Sequence, residues 1–492
     1  MIDSKALRER IIDMAVSGKL NKHTEKSASE ELKSIISALG NSKQRDISDA
    51  EKWTDIPSNW TWACLADLTT TDTLNDGNWV LSEDMVPDGD VKLIQLGSIG
   101  DCEYRYKGFK YLTEKHFIEL NGRQIYPGYL LINRLVVDKM LSCIVPDIKG
   151  ILMTAVDVCW VAPSDDFYSI EYLMYAMAST GIQQRVQELG HGVTRFRISK
   201  LNLIDIAFPM PPIEEQRSIV NTINELYGIL NQIDSLQAKY CKDLSALKSK
   251  IIDAGIQGKL TEQLPEDGVA DELIERIADE KAKLIKSGKI PKEKKLPKIS
   301  DDDKPFDIPH NWRWVRVQDV ASYITDYVAN GSFATLKAHT KTYREPNYAI
   351  FVRTMDFGTN FKEGCSYIDK ESYDFLEKSR LFGGELILPN IGASIGKAFI
   401  MPDLGIPMSL APNSILLKFT EPIMNEYFSF VIKSTYGAML LNKTQGGSAT
   451  AKFSKTDLRT LVVPLPPLEE IKRIVDTLNS LSLIIEQVYQ RK

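Results

Sequence analysis

The chain has 492 residues, 43% hydrophobic and 26% charged, with a formal net charge of −6. That length corresponds to about three ordinary domains, and the composition is that of a chain able to fold and bury cores. No apolar run approaches the roughly 18 residues of a membrane span, and the acidic balance neither announces nor excludes a nucleic-acid binder, because binding follows local patches.

In chain order, the first stretch, "MIDSKALRERIIDMAVSGKL", is amphipathic and mixed in charge, which predicts a helix rather than a signal peptide. A second helical pattern follows from Ser27, "SASEELKSIISAL". The block "DIPSNWTW" at Asp55–Trp62 opens a segment with short β-rich runs such as "LIQLGSI" and "GYLLINRLVV" and a helix near "SIEYLMYAMAST". Its tryptophans, Trp60 and Trp62, read as core at the start of a domain rather than as a base-stacking platform. The segment ends in "QRVQELGHGVTRFRISK", which is rich in base and carries one acid.

A long helix is predicted next. "PMPPIEEQRSIVNTINEL" starts at Pro209; Pro211 and Pro212 suit a first helical turn, and Glu214 and Glu215 suit the positive helix end. Ile219, Ile223, Leu226, Leu230 and Ile233, continuing through Tyr240, Leu244, Leu247 and Ile251, alternate in steps of four and three apart from the polar Gln237. That is the seam of a coiled coil, read here as a packing device and spacer. Gly258 is its expected stop. A further helical pattern from Val269 leads into the charged linker "PKEKKLPKISDDDK", read as solvated.

From this point the chain repeats itself. "DIPHNWRW" returns at Asp307–Trp314, with Trp312 and Trp314 in the tryptophan positions. β-rich runs "AIFVRTM" and "ELILPNI" follow, then a helical "PIMNEYFSFVIKSTYGAMLL" and a second basic stretch. "PLPPLEEIKRIVDTLNSL" at Pro464 matches the earlier Pro-Pro opening at ten of eighteen positions, and Ile474, Leu478, Leu481 and Ile485 resume the heptad. "LRERIIDMAVSGKL" near the N-terminus matches "LKSKIIDAGIQGKL" at Leu247. The chain is a duplication with a period near 250 residues, and one copy of its helical element is split between the termini. The predicted fold is α+β: two mixed α/β domains joined by two long antiparallel helices, with internal pseudo-twofold symmetry. The segments are 1–54 helical, 55–210 globular, 211–306 helical with linker, 307–465 globular and 466–492 helical.

The six scattered cysteines include no CxxC pair and read as reduced and structural in a cytosolic protein. The five histidines show no metal-ligand spacing. No phosphate-loop, GxSxG or HExxH pattern occurs, and the tetrapeptide of an amino-methyltransferase is missing. "IGASIGKAF" around Gly392–Lys397 lacks phosphate-loop spacing and reads as a strand-end turn. The recurrent feature is the basic, glycine-containing stretch before each Pro-Pro helix, where backbone can approach a phosphate and arginine or glutamine can reach base edges. The candidate DNA contacts there are His191, Thr194, Arg195, Arg197 and Lys200 in the first copy, and Lys443, Gln445, Ser448, Thr450, Lys452 and Lys455 in the second. Loop candidates elsewhere are Arg105, Lys107, Lys110, Asn133 and Arg134, then Lys341, Arg344, Arg353, Asn390 and Lys397.

Block order and motif wording together resemble the specificity subunit of a type I restriction–modification system: "PPIEEQRSIV" and "DIPxNWxW" at the domain borders, two differing interiors, one split helical region. One departure is Ile471, where the first copy has the family-typical Gln216. The resemblance implies two target recognition domains, each reading one half of a bipartite, asymmetric site in double-stranded DNA. The coiled coil would act as a ruler, and the helical regions would recruit two DNA methyltransferase subunits and, through them, restriction subunits. S-adenosylmethionine, ATP and magnesium are expected on those partners, with no cofactor, metal or catalytic residue on this chain, no membrane contact and a cytoplasmic location. Against this stand a stand-alone restriction–methylation enzyme, which the missing motifs disfavour, and a protein-only scaffold, which predicts no sequence-dependent DNA contact.

Overall fold

The computed structural model describes residues 1–40, 44–192, 195–443 and 452–490. The chain forms two compact units, Met1–Gln237 and Ala238–Lys492, and the boundary falls inside the long helix Ile213–Ile256. Each unit has its own hydrophobic core and its own sheets.

In unit 1 a four-stranded antiparallel sheet runs Leu74–Asp76, Val158–Val161, Leu130–Asn133, Ser142–Ile144. A three-stranded sheet places Val91–Ile94 between Phe109–Leu112 and, in parallel, Ile151–Thr154. The short pair Thr61–Ala63 and Phe208–Met210 brings the start and end of the domain together. Leu130–Asn133 is buried at every position, as a strand covered on both faces must be.

Unit 2 repeats this plan. Its four-stranded sheet runs Tyr323–Asp326, Ser414–Lys418, Leu386–Pro389, Phe399–Ile400. The second sheet again contains one parallel pair, Ala349–Val352 with Met408–Leu410, but grows to five strands. Arg313–Arg316 pairs with Val462–Leu465 to close the domain. The α+β class and the duplication are thus present at the level of strand order.

Each unit also contains one antiparallel helix pair. In unit 1 the helix Ser4–Val16 runs against the first half of the long helix: Ile2 meets Gln237, Arg8 meets Asn231 and Asp234, and Asn21 meets Thr222. In unit 2 Leu468–Gln490 runs against the second half, with Lys248 near Glu486 and Gly255 against Leu478. Ile219, Ile223, Leu230, Ile474, Leu478 and Ile485 are buried, and Leu226, Ile233 and Leu481 are half-buried. Two positions expected on the seam differ: Tyr240 and Leu247 are exposed, because heptad spacing marks an apolar stripe without supplying what covers it.

The repeated motifs explain themselves in contacts. Trp60 Nε1 donates to Glu215 Oε2 at 2.6 Å, and Asn59 Nδ2 and the Thr24 N–H donate to Oε1. In unit 2 Trp312 Nε1 donates to Glu470 Oε2 at 2.7 Å and Gln263 Nε2 to Oε1 at 2.9 Å. Both carboxylates are almost fully buried, so the donors are what make their burial tolerable. The "GKL" glycines, Gly18 and Gly258, both have positive φ and lie against the "IP" prolines, Pro57 and Pro309, where a Cβ would collide with the ring. Asp13 accepts from the N–H and hydroxyl of Thr180, as Asp253 does from Thr435.

Gln216 and Ile471 are resolved in the same way. Gln216 Oε1 accepts from Ser169 N–H at 2.9 Å, at the start of the helix Ile170–Ala178, and its Nε2 donates to Pro211 O. Ile471 is fully buried in the unit 2 core, and the corresponding N–H, that of Met424, donates locally to Glu421 O. The amide is dispensable there because no donor is stranded.

Candidate nucleic-acid interface

The basic loop of unit 1 is held to the end of the strand Leu130–Asn133. Its two flanks exchange backbone hydrogen bonds, His191 with Arg197, at 2.9 Å each. Val136 N–H donates to Phe196 O, and Ile198 N–H to Arg134 O. Arg134 fastens this junction from beneath. It is 7% exposed; Nη1 donates to Ile198 O at 2.9 Å, Nη2 to Val156 O at 2.7 Å, and Nε lies 3.0 Å from Asp76 Oδ1. Burial pushes the Asp76 carboxyl above its ordinary range, and the charges of Arg134 and Lys200 oppose that. Ser199 then caps the helix Lys200–Ile204, and Lys200 Nζ donates to Asn75 Oδ1 at 3.0 Å.

What this arrangement leaves outward is His191, Arg195 and Arg197, all exposed. Arg197 is steered by Asp157 at 3.5 Å. Three cation- or donor-bearing side chains thus stand on the paired flanks of one loop, the arrangement needed to contact phosphates and base edges together.

Unit 2 builds the same junction from other residues. Asn390 takes the place of Arg134: its N–H donates to Asn413 O, its carbonyl accepts from Phe453 N–H, and its Nδ2 donates to Phe453 O at 3.2 Å. Ile391 bridges Lys452 as Leu135 bridges Arg197. Ser454 caps the helix Lys455–Thr460, and Lys455 Nζ pairs with Asp326 at 2.7 Å. Lys452 and Lys397 are exposed. Thr194, Gln445, Ser448 and Thr450 lie outside the described residues, as does the side chain of Lys443, which ends the helix Thr435–Lys443.

The remaining candidates divide by accessibility. Lys107, Lys110, Lys341 and Arg344 are exposed, and Arg105 is exposed with Glu103 at 2.6 Å. Asn133 is 8% exposed and its Oδ1 accepts from Leu135 N–H. Arg353 is clamped by Asp356, Nη2 to Oδ1 at 2.6 Å, and also donates to Gly364 O. Asn133 and Arg134 therefore do not fit the expectation of direct base readers: their polar atoms are committed to the strand end and the loop. Arg353 is committed likewise to its own turn. Sequence reasoning missed Val137, 85% exposed one residue beyond the contact to Phe196, and Phe333, 81% exposed in unit 2. It also missed a cleft of unit 2 lined by Lys289, Lys378, Arg380, Lys418, Lys455 and Arg459, with Glu377 among them and four of the cations ion-paired. Those residues are spread over some 170 positions, so no local motif signals them.

Burial pushes the thiols of Cys64, Cys143 and Cys159 up to about 12, which leaves them protonated and unreactive as nucleophiles at neutral pH. Among the described residues no helix is long and apolar enough to cross a membrane.

Known proteins share this organisation. Residues 309–491 match the family model of the type I restriction modification DNA specificity domain. The type I restriction enzyme EcoAI specificity subunit of Escherichia coli is 24% identical, over 97% of this chain and 88% of that protein. The EcoEI specificity subunit of Escherichia coli is 22% identical over 99% and 90%. A solved structure described as the structural basis underlying complex assembly and conformational transition of the type I R-M system superposes with a TM-score of 0.55 at 15% identity. That superposition covers 88% of this chain and 92% of the other, and it shows a shared fold. Duplicated frame and near-full-length similarity together make this chain similar to the specificity proteins of restriction–modification systems. Within that class, the similarity runs to type I specificity subunits, at 22–24% identity over nearly the whole chain.

Proposed function

We propose that each unit reads one half of a bipartite, asymmetric DNA site, and that the helical regions recruit two methyltransferase subunits and, through them, restriction subunits. The observation that carries this is the repeated strand-end junction, which presents Arg195 and Arg197 in one unit and Lys452 in the other on matching backbone. Two unlike readers cannot be satisfied by a palindrome, since protein and site symmetry mirror one another. His191, Arg195, Arg197, Lys397 and Lys452 are the base and phosphate contacts, supplemented by Lys107, Lys110, Lys341 and Arg344. Arg134, Asn390, Lys200 and Lys455 position the loops.

In this reading the chain supplies specificity and assembly, and the chemistry belongs to cytoplasmic partners that carry S-adenosylmethionine, ATP and magnesium. With a net charge of −6 the chain alone binds DNA weakly, and partners that enclose the duplex supply most of the affinity. The heptad segment from Ile219 sets the number of unread base pairs. A four-residue insertion there changes the spacing of the site and leaves the bases unchanged.

The deciding experiment maps methylated adenines in cells that express this chain with its methyltransferase, then exchanges residues 55–208 for those of another specificity subunit. One half of the motif changes and the other stays. A motif that changes in both halves, or in neither, refutes the two-reader reading.

A further inference from the structure

Beside the basic loop of unit 2 lies a cavity of about 280 Å³. Its lining includes Tyr327, Val328, Phe333, Asn390, Asn413 and Lys452. Three features of this lining point to one kind of ligand. Phe333 holds its ring 81% exposed at the first position of the helix Phe333–His339, and Val328 beside it is 54% exposed. Ser332 caps that helix by accepting from Thr335 N–H, so the ring stands on a fixed support. Asn390 spends its Nδ2 on Phe453 O, while its Oδ1 is buried and has no hydrogen-bond partner among the described residues. A buried acceptor without a donor is costly unless something supplies one. Lys452 is exposed at the rim.

In unit 1 the corresponding place belongs to Arg134, whose guanidinium donates to Ile198 O and Val156 O and pairs with Asp76. Among the described residues, this place in unit 2 brings together a cavity, an exposed aromatic face, an acceptor that needs an N–H and a cation.

We propose that this cavity takes an unstacked nucleobase of the bound DNA, one that carries an exocyclic amino group. The base lies on Phe333, its amino group donates to Asn390 Oδ1, and Lys452 meets the adjoining phosphate. Aromatic stacking is the general device for holding a base out of the duplex, and a hydrogen bond to its edge makes the capture selective. The proposal rests on the DNA-reading role given above and adds to it a deformation confined to one half-site.

The test uses the full chain assembled with its methyltransferase on a duplex of the mapped motif. 2-Aminopurine is moved stepwise through the half-site read by unit 2. A probe beside the captured base loses a stacking neighbour, so its fluorescence rises severalfold at one step away from the methylated adenine. Phe333→Ala removes that rise and weakens binding roughly five-fold or more, while Phe333→Trp keeps both; the exposed ring makes loss of fold a poor explanation for either result. Asn390→Ala relaxes the motif at the captured position alone. If a motif is mapped but no probe outside the methylated adenines brightens, the base-capture inference is overturned and the DNA-reading role stands. If the wild-type chain directs no sequence-dependent methylation, both are overturned.

Discussion

Units 1 and 2 agree where they are held together and disagree where they face outward. The indole–carboxylate pair recurs with nearly equal lengths, 2.6 Å at Glu215 and 2.7 Å at Glu470. The buried Tyr172 hydroxyl donates to Pro209 O, and that of Tyr427 to Pro464 O. At the junction beneath the basic loop the backbone bonds recur but the side chains do not: Arg134 of unit 1 is replaced in unit 2 by Asn390, Asp157 by Asn413, and Arg197 by Lys452. The frame thus preserves position and releases identity. That is what a pair of readers for different sequences requires, because register must be common while the chemistry at the tip must differ.

The comparison can be broken most severely at its shared node. Glu215→Ala strands the Trp60 indole, the Asn59 amide and the Thr24 N–H in a buried place, and we expect a loss of about 3 kcal/mol or more from unit 1. Thermal unfolding and hydrogen exchange of unit 1 amides measure it. Glu470→Ala does the same in unit 2 and leaves unit 1 protected. The node also carries a pH signature. Burial alone would raise the Glu215 carboxyl, but the hydrogen bonds from Thr24, Trp60, Asn59 and His23 outweigh it and hold it below its ordinary range. A lowered folded value means that this stabilisation is present above the ordinary glutamate range of about 4.3 and is lost as pH falls through the folded value. Denaturant midpoints against pH should therefore fall more steeply on acidification for wild type than for Glu215→Gln.

The loop junction comes next. Arg134→Ala removes the guanidinium from two carbonyls and leaves the half-buried Asp76 with only Lys200 and Arg123 as nearby cations, at a cost of about 2–4 kcal/mol. Asn390→Ala removes one hydrogen bond, worth about 1 kcal/mol. The methylation motif should lose its unit 1 half in the first variant, and the second should alter only a single position of the other half. Equal effects would show that the two junctions support their loops to the same degree, against this expectation.

How much of this was legible in sequence follows from the same contrast. "IPxNWxW", "GKL" and the Pro-Pro-x-Glu-Glu openings repeat because an indole, a glycine at positive φ and a buried carboxylate admit few substitutes, so the frame could be read as a duplication. The outward residues have no such constraint. In sequence Arg134 reads as a base contact because it is a basic residue in a loop; its partners in the fold include the carbonyls of Val156 and Ile198, 22 and 64 residues away. Phe333 carried no signal because one exposed aromatic in a divergent interior has no twin. The heptad was visible, yet the exposure of Tyr240 and Leu247 was not, since periodicity specifies a stripe and not its neighbour.

The smallest effect tests how strictly the frame is shared. Gln216→Ile writes the unit 2 residue into unit 1. Ser169 N–H then loses its acceptor at the start of the helix Ile170–Ala178, and no local carbonyl replaces it as Glu421 O does for Met424. The isoleucine recovers some apolar burial, so the net cost is about 1–2 kcal/mol, read as a lower unfolding midpoint with an unchanged motif. The reverse change, Ile471→Gln, buries an amide in an apolar core where the local N–H is already satisfied, and costs at least as much. If both single changes prove neutral, the turn before the helix adapts freely and the Gln/Ile difference is drift. If both cost stability, each unit has settled its own way of closing the same turn, and recognition domains from the two halves should exchange well only when residues 169 and 216, or 424 and 471, travel together.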